Sequence, residues 1–186
     1  MIKYVFYCFL ITLIACNTTI EIETEDNYES VILPDGSLVY LNHDSSISYD
    51  ENFQPRTLNL NGEAFFTVIS DESIFTVSTT HGDIEVLGTE FNVKTMSEQI
   101  IIDVEKGLVE LKTAYNKSEI EKGIMATYKE GERAVKKIKS DRRYTKWVRS
   151  LKKEFNSLGK QLKPVVKDIG NEFEKTGKRI GDEFKD

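Results

Sequence analysis

Three side chains in one short stretch could do chemistry. In His81-Gly82-Asp83-Ile84-Glu85 an imidazole precedes two carboxylates placed two residues apart. On a β-strand, residues at that spacing point to one side, so Asp83 and Glu85 with His81 would offer a hard or borderline metal a set of donors. A turn histidine beside two solvated acids is the plainer alternative, and the expectation is no metal and no cofactor. The remaining histidine is His43. No G-x-S-x-G, H-E-x-x-H, Walker loop or dinucleotide fingerprint occurs, which removes the common hydrolase, metalloprotease and nucleotide-dependent chemistries. No catalytic residue is assigned, and the chain is not expected to be an enzyme.

The other reactive group is a thiol. Cys8 and Cys16 are the two cysteines. Cys16 ends an apolar run from Tyr4 to Ala15 that follows Lys3. A membrane-spanning helix needs about 20 apolar residues, so this run is short for that task. A positive start, a short apolar stretch and a small residue before the break read as a secretory signal over residues 1–15. Leu13-Ile14-Ala15-Cys16 resembles the bacterial lipobox. That resemblance implies lipidation of Cys16 as a diacylglyceryl thioether, loss of residues 1–15, and attachment to a membrane. An uncleaved anchor with an incidental Cys16 is the alternative. A mature chain starting at Cys16 keeps one cysteine and no intrachain disulfide, so its core must hold it together.

The elements that would position any site are strands. From Glu29 to Ile138 short runs rich in Val, Ile, Phe and Thr alternate in polarity, among them "SLVYLN", "GEAFFTVI", "DIEVLG" and "GLVELK". Asp35-Gly36, Asn61-Gly62, Gly88, Lys106-Gly107 and Lys122-Gly123 punctuate them as turns. Strands recurring every 8–12 residues or so without intervening helices predict a mainly β domain over residues 29–138, either a sandwich or a solenoid-like stack of antiparallel strands. A parallel α/β fold lacks its crossover helices here. Ala64 and Phe66 share one face, Phe65 and Thr67 the other. Gly88 suggests a corner that turns Phe91 and Val93 to the core. Glu63 reads as a strand-end residue bonded to a turn amide in preference to a partly buried carboxylate.

Four ordered motifs carry a family resemblance: "LPDGSLVYLN", "RTLNLNGEAFFTV", "FTVSTTHGDIEVLGTEFNVKT" and "IIDVEKGLVELK". They are similar to the FecR domain family over roughly 100 residues, continuing into "KGIMATYKEGE". The resemblance implies a β-domain outside the cytoplasm that recognises another envelope protein. FecR-type regulators usually carry a sigma-binding region and a transmembrane helix ahead of this domain. Only fifteen residues precede Cys16 here, so direct sigma-factor control is not expected.

Flanking regions complete the plan. Residues 16–28, including "EIETED", read as an acidic tether. Residues 141–186 hold thirteen Lys/Arg and eight Asp/Glu, a net +5 against −6 for the whole chain, so the remainder carries −11. Residues 139–186 read as a basic linker and a long amphipathic helix, kinked near Pro164. Its eleven-residue repeat aligns Leu151, Leu162, Phe173 and Phe184, then Leu158, Ile169 and Ile180, with Phe155 between them and Trp147 upstream. This interaction stripe has three competing uses: packing on the β-domain, pairing with a second copy, or lying on a membrane surface. The expected whole is a membrane-anchored envelope lipoprotein whose FecR-like domain recognises an unknown envelope protein in envelope signalling, with no nucleic-acid partner. A structural envelope protein that binds through its helix is the alternative.

Overall fold

The computed structural model describes residues 18–144, 146–151 and 153. Cys16, Pro164 and the stripe positions Phe155, Leu158, Leu162, Ile169, Phe173, Ile180 and Phe184 lie outside them. Among the described residues, fourteen strands form two seven-stranded sheets.

The first sheet contains β1 (Thr19–Thr24), β4 (Ser45–Asp50), β5 (Thr57–Asn61), β7 (Phe75–Thr79), β8 (Gly82–Val86), β11 (Leu108–Lys112) and β12 (Lys117–Glu121), adjacent in that order. The second contains β14 (Lys136–Lys139), β13 (Ile124–Lys129), β10 (Gln99–Lys106), β9 (Glu90–Thr95), β6 (Glu63–Thr67), β3 (Leu38–Leu41) and β2 (Glu29–Ile32), again in order. Apart from the single strands β1 and β6, the chain lays down a hairpin in one sheet and then crosses to the other. One apolar core, with Val39, Phe66 and Val93 from the second sheet and Leu58, Val77 and Ile84 from the first, lies between them. Of the sandwich and the stack left open by sequence, this is a sandwich.

Two expectations change. Pairing is antiparallel throughout except between β5 and β7, which run parallel. A parallel pair needs a long crossover, usually a helix; here β6, a strand of the opposite sheet, makes that connection. The acidic tether is also partly strand. β1 pairs with β4 from Thr19↔Asp50 to Thr24↔Ser45, and Ile20 and Ile22 pack against the core. Isoleucines alternating with Glu21 and Glu23 are an edge-strand pattern, in which the two isoleucines turn toward the core while both acids stay exposed.

The motif turns have the roles their composition indicated. Gly36 has φ +83° between β2 and β3, and its amide donates to the Leu33 carbonyl at 2.8 Å. Gly88 sits where the chain leaves β8 for β9, and Phe91 and Val93 beyond it are fully buried. A Cβ at Gly88 would lie 2.7 Å from both Cα and Cβ of Ser70. Gly88→Ala should therefore lower stability by about 1–3 kcal/mol, the usual cost of overpacking, measured by urea unfolding.

The last described element is a short helix over 146–151. Among the described residues no helix is long and apolar enough to cross a membrane. Tyr144 and Val148 are buried against Tyr40 and Phe65 on the outer face of the second sheet, with Trp147 and Leu151 packed alongside. The start of the segment read as a linker is thus part of the folded unit. Trp147 and Leu151 are occupied by the β-domain itself.

Candidate functional site: a half-covered cleft on the second sheet

The metal reading of His81, Asp83 and Glu85 does not assemble. His81 is buried, and its Nε2 lies 2.6 Å from the Met96 carbonyl. The Glu85 carboxylate is paired with Lys112 across to β11. Asp83 is exposed. Among the described residues no group of three or more His, Cys, Asp or Glu is placed to hold a metal.

The polar cluster that does assemble lies on the outer face of the second sheet. Strand register aligns Tyr40, Phe65, Asn92, Asp103 and Met125 in one row across five strands. A second row runs through Glu63, Lys94 and Ile101. Residues outward on a sheet are ordinarily solvated, yet Asn92 and Asp103 are 4% and 3% exposed. The cause is the segment after β14, which returns over this face as the helix at 146–151.

Glu63 is the hub: it stands at the start of β6 as expected, but its carboxylate is partly buried among side-chain donors and is not bonded to a turn amide. Its carboxylate is only 12% exposed and accepts from Asn42 Nδ2 at 3.0 Å and Asn92 Nδ2 at 3.0 Å. Lys94 Nζ lies 3.1 Å away, and the Trp147 indole N–H reaches it at 3.4 Å. Four donors around one carboxylate offset the cost of desolvating it. Sequence could not reveal this, because the donors come from positions 42, 92, 94 and 147.

Aromatic contacts hold the covering segment. The Tyr144 ring stacks on Phe65 with centroids 5.5 Å apart, and Trp147 stacks on Tyr28 at 6.0 Å. Tyr144 also donates to Glu105 at 3.3 Å. Burial first, then the nearby Asp103 and Glu105 carboxylates, raise the Tyr144 phenol above its ordinary range. It remains a neutral donor.

Between sheet and segment lies a cleft of about 360 Å³. Met96, Ile101 and Met125 supply apolar lining, Asn92 and Asp103 polar lining, and Trp147 a wall. Burial raises the Asp103 carboxyl, offset in part by the Ser140 hydroxyl donating to it. Nearby Asp141 and Glu105 raise it further and Arg142 lowers it. A raised folded-state value means the stabilising contribution is complete below the unfolded value of about 4 and is lost as pH rises through the folded one. Asp103→Asn should then gain stability relative to the native chain between about pH 4 and neutrality. Urea unfolding of both proteins at the two ends of that range checks the sign.

With fold and cleft defined, the comparisons place the chain. Residues 20–110 match the family described as FecR protein, so the chain carries a FecR domain over that span. Two crystal structures of a candidate anti-sigma factor from Parabacteroides distasonis ATCC 8503 are similar to it. At 29% identity they superpose with TM-scores of 0.66 and 0.65 over 70% and 69% of this chain. The match spans 65% and 64% of those proteins' chains. No curated protein matches the chain. The matched family span ends within β11, so the residues that cover the cleft, Asp141, Arg143, Tyr144 and Trp147, lie beyond it.

Proposed function

We propose that this chain is a membrane-anchored cell-envelope lipoprotein whose FecR domain recognises another envelope protein, in a signalling role. The observation that carries the reading is a FecR domain joined closely to a lipobox-like Cys16. Cys16 holds the lipid, and β1 begins three residues later, which keeps the domain close to the membrane surface. The similar structures are of a candidate anti-sigma factor, which supports signalling as the context. Exposed Ile74, Leu87 and Leu108, about half accessible each, line one surface cavity and supply apolar contact area for a protein.

Mild crosslinking in cells followed by purification tests the reading. Recovery of a defined envelope protein is expected, and recovery of none would count against it. A second reading is favoured by the apolar stripe of the tail: a structural envelope protein whose eleven-residue repeats bind a membrane or a second copy. Deleting residues 154–186 separates the two while sparing the packed turn at 146–151. A recognition domain keeps its partner after this deletion, and a spacer loses it.

A further inference from the structure

We propose that the cleft on the second sheet receives the guanidinium of an arginine side chain presented by a partner protein. The proposal rests on the recognition reading above and names what the partner offers. Asn92 and Asp103 are direct cross-strand partners on β9 and β10, both more than nine-tenths buried, and both line the cleft. Asn92 Oδ1 and Asp103 Oδ1 have no hydrogen-bond partner. Buried acceptors left unmatched are costly, and native proteins rarely keep two side by side.

The chemistry of the missing partner follows from what these atoms are. Glu63 accepts from the Asn92 amide nitrogen, so the amide oxygen must face the other way. The second oxygen of Asp103 is engaged by Ser140. With Asp103 ionised, both open positions call for a donor. Cross-strand neighbours stand about 5 Å apart at Cβ, a spacing that a planar fork of N–H donors can bridge and a point-like ammonium matches less well.

The surroundings favour the same occupant. The cleft holds three acids, Glu63, Asp103 and Asp141, against two bases, Lys94 and Arg143. Lys94 is paired with Glu63 and Arg143 with Asp141, while Asp103 forms no ion pair with a lining base, Arg142 outside the lining being the cation that acts on its charge. Met96, Ile101 and Met125 suit a three-methylene stem, and thioethers adapt their shape to it. Trp147, stacked on Tyr28, also lines the cleft and brings an aromatic ring to it.

Trp147 is the sole tryptophan of the chain, so its fluorescence reports on the cleft directly. The full chain is titrated with N-acetylarginine methylamide, with its neutral isostere N-acetylcitrulline methylamide, and with agmatine. A saturable change with the arginine probe, at least tenfold weaker with citrulline, is expected. Asp103→Asn should weaken the arginine probe at least tenfold, and Met125→Trp, which fills the cleft beside Asp103 while keeping both acceptors in the chain, should abolish binding followed by calorimetry. Equal binding of arginine and citrulline probes, or indifference to both substitutions, overturns the assignment. Agmatine binding at least tenfold more tightly than the arginine probe also overturns it, because the occupant is then a free alkylguanidine. Silence of all probes while an envelope protein is still crosslinked removes the cleft assignment and leaves the recognition reading standing.

Discussion

Replacing Phe66 by alanine is expected to cost the fold about 3–5 kcal/mol, the range for removing a buried aromatic. Phe66 is fully buried and joins both sheets. It stacks on its cross-strand partner Phe91 with centroids 5.1 Å apart, and meets the edge of Phe75, across the sandwich, at 6.3 Å. Phe75 in turn contacts Phe53 at 5.8 Å. Alanine would remove the ring at the centre of this chain of contacts, and backbone on both sides resists collapse into the gap. Domains of this kind are stable by only about 5–15 kcal/mol, so the loss takes a large share. Urea unfolding of the full chain measures it. A loss below about 1 kcal/mol would mean that the core repacks around the missing ring.

Arg56→Met is expected to be comparably damaging, at about 3–5 kcal/mol, because it removes a buried guanidinium and leaves the part-buried Asp35 carboxylate without its counter-charge. The Arg56 side chain is 4% exposed, and its Nε and Nη2 donate to Asp35 Oδ2 at 2.9 and 2.6 Å. Its remaining donors reach the Ser73 carbonyl at 2.8 Å and the Ile69 carbonyl at 3.0 Å. Asp35 meanwhile accepts from the amide and the hydroxyl of Ser37. This one guanidinium ties the β2–β3 turn to the loop between β6 and β7. Removing both charges, as in Arg56→Met with Asp35→Leu, should cost clearly less than the sum of the single changes. Additive losses in that double-mutant cycle would show that the two residues act independently.

The strands and turns were legible because burial on one face writes a period of two into the sequence, and tight turns demand glycine. What escaped was whatever depended on a partner distant in sequence. Tyr40 and Phe65 point outward on the second sheet, and the runs "LVYL" and "EAFFT" are apolar on both faces. Such runs indicate a strand covered on both sides, but the cover comes from Tyr144 and Val148, about eighty residues beyond Phe65. Arg56 and Asp35 lie 21 positions apart in two different motifs, and nothing in either motif names the other. The cleft was hidden for the same reason. Its two open acceptors become visible only when β9, β10 and the returning segment are brought together.

The envelope location on which the functional account stands is tested most directly by intact-mass and N-terminal peptide analysis of the protein recovered from the membrane fraction. The account predicts a mature chain that begins at Cys16 and carries the mass of a diacylglyceryl group. A chain that retains Met1 and an unmodified Cys16 would contradict it.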